Sequence, residues 1–257
     1  MISNIKNDKI KKFIKLRDLK KNRIYENSFT VEGVRLICEA VSSGVLTSSL
    51  FLTKECIKKN KDSIYDLTKF ENYNIISREV AAKMSLVKTP QGAFAIAKKP
   101  KDFLKEEINP KDLVLALYEI KDPGNLGSLI RSALSFGFFK IILYNCCDVF
   151  NQKVIRSSMG NIFKVSFLKC ENFEDMLTFL KRRKIKTFAT SVKETAISSK
   201  KLQNENGVLV LGGEANGLPK SLQEKCDFVV TIKMSKMSES LNVASAGSIL
   251  MYEMKNY

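Results

Sequence analysis

The sequence predicts an α/β protein of two domains, a smaller N-terminal one followed by a larger one built on a parallel sheet. Three observations carry this. Strand-length apolar runs alternate with helical patterns along nearly the whole chain, as expected when helices cover a sheet. The alternation stops at 99–111, a charged stretch with Pro100 and Pro110 near its ends, which reads as a linker. Beyond it, residues 113–117 are apolar on both faces, the pattern of a covered parallel strand. The expected division is therefore 1–98, a linker at 99–111, and 112–257.

In order, residues 5–23 read as a basic helix with Ile5, Ile10, Phe13, Ile14 and Leu16 as a partial apolar stripe. A strand at 28–31 leads through Glu32-Gly33 into a helix at 34–41, ended by Ser42-Ser43-Gly44. A strand at 50–52, a polar helical stretch at 63–70, a strand at 74–76, a helix at 78–85 and a strand at 93–97 complete the first domain. In the second, the strand at 113–117 runs into Asp122-Pro123-Gly124-Asn125 and a helix at 126–136. A strand at 140–144, a helix at 152–158 broken at Gly160, a strand at 163–167, a helix at 173–182 and a strand at 186–190 follow. A buried strand from Val208 then enters a Gly-rich turn. Residues 232–253 read as a strand, a polar loop ending in Ser240-Leu241-Asn242, and a closing apolar helix. Covered parallel sheets place their sites at the C-terminal ends of the strands.

Composition narrows the function. The chain has 257 residues, 44% hydrophobic and 27% charged, ordinary values for a soluble globular protein. Its formal charge of +16 favours a polyanionic partner such as nucleic acid. Residues 1–25 contribute nine basic side chains against Asp8 and Asp18, or +7 of that total. The segment has no apolar core before a cleavage site, so it is not a secretory signal. No run has the length of a bilayer span, and a cytoplasmic location is expected. The six cysteines show no C-x-x-C and no metal-ligand spacing. Histidine is absent, which excludes His bases, His-dependent triads and the commonest metal ligand.

Three segments look like parts of one site. In 125–133, Asn125 stands at or beside a helix N-terminus, Gly127 permits close approach, and Arg131 follows. Alone, Asn125 reads as a helix cap and Arg131 as a surface residue. In 212–219, Gly212, Gly213 and Gly217 expose backbone, Glu214 is a capping carboxylate or a pocket charge, and Pro219 suits the first turn of a helix. In 240–247, Ser240 or Asn242 caps a helix whose small residues allow close packing. Neither a G-x-G-x-x-G nor a complete P-loop is present.

Together and in this order, N-x-G-x-x-x-R at 125–131, L-G-G-E-x-x-G-L at 211–218 and S-L-N-V at 240–243 resemble the three motifs of the SpoU (TrmH-like) RNA ribose 2'-O-methyltransferases of the SPOUT class. Upstream, F-T-V-E-G-V-R-L at 29–36 and T-P-Q-G at 89–92 resemble that family's L30e-like substrate-binding domain. The resemblance implies a C-terminal α/β knot, a rare exception to the rule against threaded chains, and a homodimer with composite sites. It implies S-adenosylmethionine, without a metal, bound by Gly212, Gly213, Gly217, Ile232, Met234, Leu241 and Asn242. It also implies a catalytic set of Arg131, Asn125, Glu214, Ser240 and Asn242. The resemblance proposes Arg131 as the base, yet a guanidinium is not expected to deprotonate in a protein, so a base and a phosphate clamp both stay open. The implied partner is RNA, ribosomal in preference to transfer RNA, and no membrane. A catalytically silent RNA-binding protein on the same fold is the rival reading.

Overall fold

The structure, a computed structural model, describes residues 1–45, 47–61, 73–191, 196–235 and 237–255. They form two compact units, one of residues 1–100 with 150–163, the other of residues 101–149 with 164–255. The helix expected at 63–70 lies outside the described residues.

The first unit is a four-stranded sheet in the order β1-β4-β2-β3, with β1 Ser28–Glu32, β2 Thr47–Thr53, β3 Tyr73–Ile76 and β4 Ala93–Lys98. Strand β4 runs antiparallel to β1 and β2, and β3 runs parallel to β2. The basic N-terminal segment forms two helices, α1 Asp8–Asp18 and α2 Lys20–Tyr25, separated at the extended Leu19. Helix α1 buries Ile10, Phe13 and Leu16 against Phe51, Phe94 and Ile96. Phe13 meets Phe51 and Phe94 edge-on, at centroid distances of 6.1 and 5.7 Å. Two of its basic residues serve the fold. Arg23 is buried and donates to the Leu16 and Arg17 carbonyls at 2.7 and 2.9 Å. Arg17 donates to the Lys83 and Met84 carbonyls at 2.8 and 3.0 Å, where helix Arg78–Met84 ends.

Residues 150–163, far along the chain, belong to this unit. Phe29 packs against Phe150 and Phe163, with centroids 4.7 and 6.1 Å away. The buried Gln152 donates to the Thr30 carbonyl at 2.7 Å. This placement overturns the strand expected at 163–167: residues Asn161–Lys164 form a 3₁₀ turn that brings Phe163 onto Phe29, and the strand starts later, at Ser166.

The second unit is a seven-stranded sheet in which every pairing is parallel. Its strands are β5 Leu113–Tyr118, β6 Lys140–Tyr144, β7 Ser166–Cys170, β8 Thr187–Thr190, β9 Ile197–Ser198, β10 Gly207–Gly212 and β11 Phe228–Thr231, in the order β7-β6-β5-β10-β8-β11-β9. Phe103 and Ile108, inside the stretch expected as a linker, are buried in this unit's core. Strands β5 and β10 lie side by side in register from Gly207↔Leu113 to Gly212↔Tyr118, so the loops after them emerge together at the C-terminal edge. One face of the sheet packs on Phe173, Met176, Leu177 and Leu180 of helix Phe173–Arg182. The closing strand is Phe228–Thr231, not a segment from 232 onward: Ile232 leaves the sheet and lines a cavity.

Candidate active site

The site is built where three strand ends meet. Strand β10 ends in a tight turn in which Gly217 N–H donates to the Gly213 carbonyl at 2.9 Å. A Cβ on Gly212 would lie 2.1 Å from Leu218 N, and one on Gly213 would lie 2.4 Å from the Glu119 carbonyl oxygen. Neither position admits a side chain without moving backbone. Gly217 has φ +61° and open space around it, so its requirement is conformational.

Strand β5 leads to helix α6, Pro123–Ser135, the chain's sixth described helix after Val34–Ser42, Lys54–Lys59 and Arg78–Met84. Asp122, not Asn125, caps it: the Asp122 carboxylate accepts from Asn125 N–H at 2.8 Å. Pro123 suits the first helical position, where no donor is needed, and this pushes Asn125 into the first turn with its side chain available. The chain ends in helix α10, Val243–Met254, preceded by α7 Gln152–Ser157, α8 Phe173–Arg182 and α9 Lys220–Gln223. Asn242 caps α10, its Oδ1 accepting from Ala244 and Ser245 N–H at 2.9 and 3.3 Å.

That cap fixes the polarity of a relay. With its oxygen committed to helix amides, Asn242 must present Nδ2, which donates to Asn125 Oδ1 at 3.0 Å. Asn125 must then present its own Nδ2, which donates to Glu214 Oε1 at 2.9 Å. One residue from each of the three segments is thereby joined. Helices α6 and α10 are locked behind them. A Cβ on Gly247 would fall 2.4 Å from Leu129 Cδ2 and 2.7 Å from Leu211 Cδ1. Ser248 Oγ donates to the Ala244 carbonyl and therefore accepts from Ser132 Oγ, both at 2.7 Å.

The turn and the loop before α10 enclose a cavity of about 630 Å³. Gly212, Gly213, Gly217, Ile232, Met234, Leu241 and Asn242 all line it, as do Glu214 and Ser240. Asn125 reaches it through Glu214 and Asn242. Arg131 does not: it is exposed on α6, six residues beyond Asn125 and outside the lining. The lining also includes Thr190, Ser191, Gln223 and Thr231, which sequence reasoning missed. Thr190 and Thr231 end β8 and β11, so their signal was position at a parallel strand's C-terminal end. Near Glu214, burial pushes the thiols of Cys146 and Cys147 up to about 11 and about 12, which keeps both neutral and unreactive at ordinary pH. Among the described residues, no group of three or more His, Cys, Asp or Glu is placed to hold a metal ion. No helix among them is long and apolar enough to cross a membrane.

The chain matches known proteins over its full length. Residues 112–252 match the SpoU rRNA Methylase family and residues 7–95 an MRM3-like substrate binding domain. It is 30% identical to the 23S rRNA (guanosine(2553)-2'-O)-methyltransferase RlmP of Bacillus subtilis, over 99% of this chain and 98% of that protein. Its structure is similar to that of an RNA 2'-O ribose methyltransferase, with TM-score 0.82 and 26% identity over 98% of this chain and 97% of the other. It shares its fold with an AdoMet-bound rRNA methyltransferase from Sinorhizobium meliloti, with TM-score 0.85 and 24% identity over 98% and 96%. With more than half of its length in the family match, and with two of that family's motifs lining one cavity and Asn125 of the other hydrogen-bonded to both, the chain belongs to the SpoU rRNA methylase family.

Proposed function

We propose that this protein transfers a methyl group from S-adenosylmethionine to a ribose 2'-hydroxyl of ribosomal RNA, and that it works as a cytoplasmic homodimer. The observation that carries the reading is the Glu214–Asn125–Asn242 relay at the edge of the cavity. The cavity suits the donor. Its volume falls in the ~300–1,000 Å³ range of small-molecule sites, and Gly212 and Gly213 line it in a turn packed too tightly against its own backbone and the Glu119 carbonyl to admit a side chain.

When bound, S-adenosylmethionine supplies a methyl group already activated on a sulfonium. The protein's task is then alignment, which is the larger part of catalysis for such an in-line displacement. Gly212, Gly213, Gly217, Ile232, Met234, Leu241 and Asn242 hold the donor. Glu214, oriented by Asn125, accepts a hydrogen bond from the incoming 2'-hydroxyl and takes its proton as the ribose oxygen gains the methyl group, and Ser240 and Asn242 shape the space around it. A guanidinium keeps its proton in proteins, so Arg131 is assigned to a phosphate beside the target ribose. Its exposed place outside the cavity supports delivery from a second copy of the chain. Ile249 and Tyr252 are exposed on α10, where Tyr252 meets Phe136 edge-on at 5.8 Å, and they give that copy an apolar face to cover. The match of residues 112–252 to the SpoU family supports the trefoil knot that the family resemblance implies for this domain. Six cysteines, none of them in a disulfide, are consistent with a reducing compartment.

The name of the Bacillus relative supports 23S rRNA as the first substrate to test. RNA affinity would come partly from the first unit, through the exposed Lys11, Lys15, Lys20 and Lys21, and would weaken with salt. The test maps 2'-O-methyl riboses in total RNA from cells with and without the gene. The proposal expects one rRNA ribose to lose its methyl group. A change confined to transfer RNA would reassign the substrate, and no change in any RNA would overturn the reading in favour of a silent binder.

A further inference from the structure

Beyond β5 and β6 the sheet ends in a crest that none of the three motifs includes. Glu119 and Asn145 close these strands with φ 57° and 49°. Asn145 Nδ2 donates to Glu119 Oε1 at 2.8 Å. Glu119 N–H donates to the Tyr144 carbonyl at 2.8 Å, and Cys147 N–H to the Ile120 carbonyl at 2.9 Å. Lys121 is exposed on this crest, its ammonium 2.5 Å from the Asn145 carbonyl oxygen. That contact takes one of three ammonium donors, and among the described residues no carboxylate forms an ion pair with it.

The crest borders the active site at several points. Asp122, the next residue, holds the Asn125 backbone. The Glu119 carbonyl abuts Gly213. The Cys146 thiol lies in the field of both Lys121 and Glu214, and Cys147 in that of Asp122, Asp148 and Glu214. A fixed cation thus stands among carboxylates at the edge of the site.

An RNA entering past those carboxylates brings a negative phosphodiester on each side of the target ribose, and an approach lined only with acids would repel it. We propose that Lys121 is a substrate-binding residue that takes a phosphodiester adjoining the target ribose, pre-positioned by the Asn145 carbonyl. The inference rests on the RNA methyltransferase reading. A Lys121 that merely strapped the two loops together would leave the salt dependence of RNA binding unaltered.

The test uses the full chain and an unmodified 23S rRNA transcript spanning the guanosine named for the Bacillus relative, at several salt concentrations. Lys121→Ala should raise KM for the transcript about five- to tenfold with kcat within about twofold, and flatten the slope of log affinity against log salt by about 0.7–0.9. S-adenosylmethionine affinity, measured by calorimetry, should stay at the wild-type value. Lys121→Arg should recover most of the loss, because it keeps a phosphate-binding cation. An unchanged KM and slope in Lys121→Ala overturns the proposal, and so does Lys121→Arg as weak as Lys121→Ala, or a loss confined to kcat. Filter binding of the same transcript separates the two readings. Lys121-dependent binding without methylation would support Lys121 and overturn methyl transfer, whereas no binding by the wild type would overturn both.

Discussion

Replacing Gly212 by alanine probes whether the turn after β10 is held by contact or by conformation. The added Cβ would lie 2.1 Å from Leu218 N and 2.2 Å from the Gly217 carbonyl carbon. Carbon contacts are ordinary only at about 3.5 Å and beyond, so something must move by more than about 1 Å. Both opposing atoms are backbone, and the Gly217–Gly213 hydrogen bond ties them into one turn, so the displacement passes to the whole cavity wall. Overpacking of this kind costs about 1–3 kcal/mol of stability, and a misplacement of ~1 Å in a site costs about 100-fold in function. Gly217→Ala is the matched control. Its Cβ meets nothing within 4 Å, leaving only left-handed strain of about 1–2 kcal/mol. Calorimetric titration with S-adenosylmethionine should show Gly212→Ala binding about 100-fold more weakly than wild type, and Gly217→Ala within about tenfold. Wild-type affinity in Gly212→Ala, or a larger loss in Gly217→Ala, would refute the contact argument.

Asn125→Ala removes both relay bonds but no cavity wall; kcat should fall about 100-fold while donor affinity stays within a few-fold, and loss of donor binding would contradict that placement. The raised thiols of Cys146, Cys147 and Cys226 stabilise the fold while pH is below the unfolded thiol value of about 8.5. That contribution drains as pH rises toward their folded values. Tm should therefore fall across that window, and less steeply after Cys146→Ala and Cys147→Ala; equal slopes would sink the assignment. Phe13→Ala empties the edge-on cluster with Phe51 and Phe94 and should cost about 3–5 kcal/mol in urea unfolding of the first unit, and a cost below about 1 kcal/mol would show that α1 is peripheral.

The parts of the fold legible in the sequence were those fixed by local pattern. Helix Phe173–Arg182 and strand Lys140–Tyr144 stand where periodicity and apolar runs put them. The elements that moved did so for long-range reasons. Phe163 looked like strand because it is apolar, but its partner is Phe29, on a different sheet. Arg17 and Arg23 count toward the +7 of residues 1–25, yet carbonyls at helix ends claim them. Ile232 reads like the start of a strand, and the cavity takes it instead. At the site, the three motifs were legible as a set and the glycines by their type. The relay was not, because Asn125 is 89 residues from Glu214 and 117 from Asn242, and only the fold decides which amide faces which. Asn125 itself looked like a cap until Asp122 proved to occupy that position.

The central claim is that this cavity delivers a methyl group to a ribose oxygen. Its most direct test incubates the purified protein with methyl-labelled S-adenosylmethionine and unmodified 23S rRNA transcript, then digests the product to nucleosides. The prediction is label in a 2'-O-methylated nucleoside, with an adjoining phosphodiester that resists alkali and a signal lost in Asn125→Ala. Label on a base, or none despite measurable donor binding, would contradict it.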